Sequence, residues 1–265
     1  MNYKNIKTYD NITVVAIYGN NEGMKALPAL RKTAACLPGS KQLLITNKHI
    51  SCDVPQKITA PMDYFAYSNF CMFSLWNYID TDYALIVQHD GWALNADNWK
   101  DQWLEYDYIG GLTHAGLINN TFITNYQWVG TPNVTVVQNG GFSLRSKKLM
   151  SALVKNGIMP SRYDDYKLNN EDIQLTAFMR PALESVGVKF APDDEAKLFS
   201  FEHLYDKIHD LDNADKIFGH HSRFRTLIDE KTMLWHLSKE QTNDILFENV
   251  AYDLFSKHYN YKIIR

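Results

Sequence analysis

Three short aliphatic and β-branched runs, each ending at a turn, constrain this chain most: Ile12 to Tyr18, Leu43 to Thr46 and Tyr83 to Gln88. Runs this short that are apolar at consecutive positions suit strands buried on both faces, as in a parallel sheet covered by helices. The segments between them read as those helices. Residues 22–36 place Met24, Leu27, Leu30 and Ala34 at helical spacing and stop at Pro38-Gly39. Residues 63–79 put Asp63 at a capping position and Phe65, Asn69, Phe73 and Trp76 on one face, widened by Phe70 and Leu75. The alternation predicts an α/β layered fold with a mixed, mostly parallel sheet flanked by helices.

The second half is less regular. Tyr108 to Gly111 reads as a short strand, followed by about two dozen Asn-, Thr- and Gly-rich residues before a strand at Val134 to Val137. Residues 146–156 form a helix ending at Gly157, and Asn170 to Glu184 form another, bent near Pro181. Val188 to Phe190 is a short strand, and the chain from 223 onward reads as mainly helical. The division expected is one domain over residues 1–222 with a helical extension, 223–265, packed on it.

Charge and cysteines exclude several classes. With 27 Lys and Arg against 30 Asp and Glu, the net charge of −3 disfavours binding to nucleic acid by bulk charge. Cys36, Cys52 and Cys71 are scattered, so neither a disulfide framework nor a zinc site is expected. The start of the chain lacks a signal-peptide core, and no apolar run approaches the roughly 20 residues of a membrane helix. A cytoplasmic protein is expected, with peripheral attachment to a membrane left open.

Four short strings carry candidate chemistry, each with a plainer structural reading beside it. Gln88-His89-Asp90-Gly91 puts a carboxylate just past a buried strand, where open α/β sheets bind ligands; Asp-Gly is equally a common turn pair. Asn139-Gly140-Gly141-Phe142-Ser143-Leu144-Arg145 lets backbone approach a ligand closely, or simply bulges a strand, with Arg145 read as an exposed strand end. Asn170-Glu171-Asp172 opens a helix, where the carboxylates serve as a general base or as favourable first-turn charges. Gly219-His220-His221 offers imidazoles to a metal or phosphate, or two solvated loop histidines. Neither nucleotide-binding glycine fingerprint is present. A nucleotidyltransferase would need a basic glycine-rich loop that Tyr18-Gly19-Asn20-Asn21 does not supply.

In this order the strings resemble GT-A-type glycosyltransferases, and the chain is most similar to a bacterial and viral domain family described only as glycosyltransferase-like and of unknown function. The resembling stretches span most of residues 10–222. The resemblance implies a GT-A-like (Rossmann-like) sheet and transfer of a sugar from a nucleotide-diphosphate donor to a hydroxyl acceptor on a glycan, a lipid-linked sugar or a modified base. It also implies a divalent cation, Mn2+ or Mg2+, held by Asp90 with His220 or His221, although Gln88-His89-Asp90 carries one carboxylate where two are usual. Tyr18, Gly19, Thr46 and Asn47 would hold the nucleoside, and Asn139, Gly140 and Gly141 would line the donor-sugar pocket. Asp172 would be the base of an inverting reaction, with Glu171 on an acceptor hydroxyl. Among the aromatic residues from Trp92 to Trp128, Trp128 is the acceptor-side candidate. The competing expectation is a catalytically degenerate domain that binds glycan or nucleotide without turnover.

Overall fold

The computed structural model describes residues 7–162, 165, 168–231, 234–237 and 245–264. Strand β1 (Ile12–Tyr18) is buried along its whole length. Its alternate residues serve two cores. Val14, Ala16 and Tyr18 pack with Leu27, Leu30 and Ala34 of α1 (Leu27–Cys36), while Val15 and Ile17 pack with Phe70, Cys71 and Leu75. A strand enclosed on both sides has no solvent face on which polar residues could alternate, which explains the continuous apolar run.

Parallel to β1 lie β2 (Lys41–Thr46) and then β3 (Gln56–Ile58). Helix α2 (Tyr64–Asn69) starts where the Asp63 carboxylate accepts the Ala66 N–H at 2.8 Å. It continues through a wide turn at Phe70–Ser74 and a tight one at Leu75–Asn77, so the expected helix is one path with three pitches. Then follow β4 (Tyr83–Val87), β5 (Gly91–Ala93), β6 (Tyr108–Ile118), β7 (Thr121–Ile123) and β8 (Thr135–Ser146). The stretch expected as a long loop is therefore partly strand: β6 runs on to Ile118 and folds back on β7. Ser146 caps α3 (Lys147–Asn156), which ends at Gly157 with φ of +64°. Helix α4 (Glu171–Ile173) passes through a wide turn at Gln174–Phe178 into α5 (Arg180–Ser185), which restarts at Pro181 in its first turn. The strand expected at 188–190 reduces to a single bridge between Phe190 and Tyr108. Helix α6 (Asp193–Phe199) leads into β9 (Ser200–Phe201) and β10 (Gly219–His221).

The main sheet has the order β3-β2-β1-β4-β8-β6-β9-β10-β5, with β7 on β6. All but β5, β7 and β8 run in one direction, so the fold is α/β with a mixed, mostly parallel sheet flanked by helices. A bridge between Gln88 and Gly91 returns the β5 edge to the end of β4, and the sheet half beyond β4 curls on itself.

Among its described residues the extension, expected to be mainly helical, is helix and strand together. It holds β11 (Arg225–Asp229), β12 (Leu234–Leu237), α7 (Ile245–His258) and β13 (Lys262–Ile264), the strands forming a small separate sheet. Leu227, Ala251, Leu254, Phe255 and Tyr261 join Trp92 and Phe201 in a shared core. Arg225 fastens this union. Its guanidinium, fully buried, donates to Glu248 from Nε at 3.0 Å and Nη2 at 2.9 Å, to the Glu202 carbonyl at 2.7 Å and to His220 Nδ1 at 2.9 Å. Removing one partner of such a pair strands the other charge, so Glu248→Ala should cost about 3–5 kcal/mol in urea denaturation. The double change Arg225→Met with Glu248→Leu should recover most of that loss.

Candidate active site

A cavity of about 1080 Å³ lies against β6, β8, the start of α4 and the segments that follow β9 and β10. That is slightly above the roughly 300–1,000 Å³ of a single-ligand pocket, room enough for a substrate in two parts. Its wall includes Asn139, Asp172, His221, Glu202, His203, Tyr126 and Tyr205.

Strand β8 organises the wall through its two glycines. A Cβ on Gly140 would overlap Glu171 Oε1, and one on Gly141 would overlap the His221 ring. The glycines therefore make space for the chain's own side chains, where a donor-sugar pocket was expected. Gly140 N–H donates to Asp172 Oδ2 at 3.2 Å, and Ile173 N–H donates to Oδ1 at 2.8 Å. Asn139 Oδ1 accepts the N–H groups of Gly141 and Phe142 at 2.7 and 3.3 Å. Its amide nitrogen then faces His221 Nδ1 at 3.0 Å, which leaves Nε2–H of the neutral ring to donate to Gln88 Oε1 at 3.0 Å.

Asp90 stands in the turn after β4, and its Oδ1 is 3.5 Å from His221 Nε2 and 3.8 Å from His89 Nδ1. That oxygen is buried and has no hydrogen-bond partner. Burial works against the charged carboxylate, but His221 and His89 outweigh it and hold the Asp90 pKa below its ordinary value. His221 is the converse: burial lowers its pKa, and Asp90, Glu202 and Asp172 together raise it above the ordinary value.

Several expected residues sit elsewhere. His220 faces away from the cavity, fully buried, with its ring 4.0 Å edge-on from Trp92. Burial and the neighbouring Arg225 charge push its pKa well down, and its place between Arg225 and Trp92, away from the cavity, makes it a core residue where a metal ligand was expected. Glu171 is buried, and it pairs with Arg145 at 2.9 Å where an acceptor hydroxyl was expected. Arg145 is itself fully buried, the reverse of an exposed strand end. Trp92 and Trp103 are fully buried, and Trp99 packs edge-on against Trp103, so this part of the aromatic group is core. Trp128 is half-buried, gives its indole N–H to the Thr113 carbonyl at 3.1 Å and does not line the cavity; Tyr126 does. Tyr18, Gly19, Thr46 and Asn47 do not line it either. Tyr18 hydroxyl is engaged with His89 Nδ1 at 2.6 Å, and Gly19 is packed against Met62. The acidic string Tyr163-Asp164-Asp165-Tyr166, read as a solvated loop, lies outside the described residues except for Asp165, which is exposed at the cavity rim.

Glu202 and His203 also line the cavity, and no motif in the sequence marks them. They follow a strand end as His89 and Asp90 do, but β9 is only two residues long and left no periodic signal. Burial alone would raise the Glu202 pKa, yet His114, His203 and His221 draw it down to about 2.

Asp172 is shifted the other way. Burial and the adjacent Glu171 raise its pKa to about 7, against the pull of the Ile173 N–H and Arg145. A carboxyl that binds its proton more tightly folded than unfolded makes stability fall as pH rises from about 4 towards 7. Asp172→Asn, which cannot ionise, should therefore melt higher than wild type at pH 8, with the gain vanishing at pH 4. Gly141→Ala should lose about 1–3 kcal/mol in urea denaturation, since the new methyl must displace the His221 ring.

No curated protein matches the chain. Among solved structures, the bifunctional IspDF from Campylobacter jejuni is similar at 9% identity with a TM-score of 0.37, over 78% of this chain and 54% of that one. The chain thus spans about half the length of that protein. A family model described as protein of unknown function (DUF5672) matches residues 58–221, from the end of β3 to the cavity histidine His221, and the chain belongs to that family.

Proposed function

We propose that the chain is a nucleotide-sugar-dependent glycosyltransferase, acting with inversion on a hydroxyl acceptor. One observation carries the reading: Asn139-Gly140-Gly141 binds Asp172 on one side and His221 on the other, so a carboxylate base and an imidazole share one cavity. The resemblance of the four strings to GT-A-type glycosyltransferases supports it.

In the transfer, the acceptor oxygen forms a bond to the anomeric carbon as the bond from that carbon to the diphosphate breaks. Asp172 takes the acceptor proton. A carboxylate with its pKa near 7 is a stronger base than an ordinary one and is still ionised at mildly alkaline pH. The departing diphosphate needs positive charge, which His221 supplies when protonated.

Asp90, which does not line the cavity, and His221, which does, are the residues that would hold a divalent cation. Asp90 Oδ1 lies 3.5 Å from His221 Nε2, which would have to release the hydrogen it gives Gln88 Oε1 before it shared an ion with that oxygen. Among the described residues no group of three or more such ligands is assembled. Ions such as Mg2+ commonly use one or two carboxylates plus substrate phosphates, so Asp90 and His221 suffice as protein ligands. When bound, the ion would take the place of the protonated His221 in neutralising charge on the diphosphate, because an imidazolium has no lone pair left for a metal.

The test is nucleotide release from a panel of nucleotide sugars, with Mn2+ or with chelator. Wild type should turn over one donor, faster as pH rises through 7, and Asp172→Asn should be slower by about 10²–10⁴-fold with donor binding retained. Undiminished turnover in Asp172→Asn would refute the base assignment. Binding of donors with no release from any of them would leave the binding-module reading in its place.

A further inference from the structure

A second part of the cavity wall is built from elements that play no part in that chemistry. Tyr126 sits in the turn after β7 and lines the cavity with Tyr205, their ring centroids 5.1 Å apart at 54°. Both Asn125 and Tyr126 are held in the left-handed region, at φ of +56° and +60°. For an aromatic residue that conformation persists only when its surroundings enforce it. Here the Tyr126 N–H donates to the His114 carbonyl at 2.9 Å, and its hydroxyl is bonded to His203 Nδ1 at 2.7 Å. His203 is in turn stacked on Phe224, with centroids 6.1 Å apart. Beside these rings Glu202 presents a carboxylate, its Oε2 3.9 Å from His114 Nδ1.

We infer that this wall is the acceptor subsite and that it takes a neutral sugar ring. The inference rests on the glycosyltransferase reading for the word acceptor, and on the wall alone for the word sugar. Aromatic faces fixed in place offer a flat apolar surface to the C–H face of a pyranose, and Glu202 with His203 offers hydrogen-bonding groups to its hydroxyls. The charge pattern separates this from the alternatives. The carboxylates of Asp165, Asp172 and Glu202 line the cavity, no lysine does, and Arg162 is occupied by the Asn120 carbonyl at 3.2 Å and the Phe178 ring. An uncharged glycoside needs no counter-charge on this wall, whereas a phosphate-bearing acceptor such as a nucleic-acid strand would have to draw Arg162 and Arg223 away from the contacts they make.

The experiment measures binding to the full chain without donor, by calorimetry and saturation-transfer NMR. The probes are methyl pyranosides, their β-linked and α-linked disaccharides, a single-stranded oligodeoxynucleotide and a serine-rich peptide. At least one sugar should bind wild type, and Tyr126→Ala and Tyr205→Ala should each weaken it by at least about tenfold. Nucleotide affinity and melting behaviour of the variants should stay close to wild type, which separates loss of the wall from loss of the fold. Binding of the oligonucleotide or peptide in preference to every sugar would overturn the proposal, as would unchanged sugar affinity in both variants. Sugar binding without turnover of any donor would leave the subsite standing and remove the transferase reading. Turnover with an unaltered acceptor KM in both variants would do the reverse.

Discussion

Arg145 is the charge around which the site is assembled. It lies on β8 with no exposed surface, and its Nη2 reaches Glu171 Oε1 at 2.9 Å and the Gly140 carbonyl at 3.2 Å, while Nε donates to Ser143 Oγ at 3.0 Å. Its guanidinium also lies over the Tyr108 ring at 5.3 Å. Burying such a pair costs desolvation on both sides, which net attraction barely offsets, so stability alone is a weak reason for it. What it fixes is position. Glu171 is drawn into the protein beneath β8, and the next residue, Asp172, is thereby left at the cavity surface against the Gly140 N–H. The same Glu171 charge that answers Arg145 is the neighbour that, after burial, does most to raise the Asp172 pKa.

The same device recurs on the other side of the cavity. Arg225, also fully buried, joins Glu248 of the last helix to His220 of β10 and to the Glu202 backbone. Adjacent histidines on a strand point to opposite faces, so anchoring His220 in the core turns His221 towards Asp90. Each buried arginine thus serves a neighbour of the chemically exposed residue, with Glu171 standing behind Asp172 and His220 behind His221.

Where a segment's structure follows from local chemistry, the sequence was a good guide. Ile12–Tyr18 is apolar throughout because both faces are covered, and Asp63 caps α2 because a carboxylate at that place can take the Ala66 N–H. Where structure depends on a distant partner, it was not. Arg145 reads as a strand-end charge until Glu171, 26 positions later, folds against it. His220 and His221 look alike in sequence, and the period-two geometry of a three-residue strand is what separates them. The Gly-, Thr- and Asn-rich stretch after Tyr108 hid a strand because small residues there allow close approach to β8 and β9, a tertiary fit that carries no local signal. The mainly helical expectation for the extension missed three short strands, which among the described residues pair with one another.

The bounds of the family match, 58–221, fall inside the fold and not at its edges. On the amino-terminal side they leave out β1, whose loss would open the edge of β4, a strand with apolar residues on both faces. On the other side they stop just short of the arginine that secures β10. The recurring stretch is therefore a chemical unit that borrows its mechanical support from flanking chain, and a fragment excised at those bounds would present an adhesive sheet edge to its own copies. This chain meets that support problem with the β1–β2 pair and α1 before the matched stretch, and with the Arg225–Glu248 pair and α7 after it.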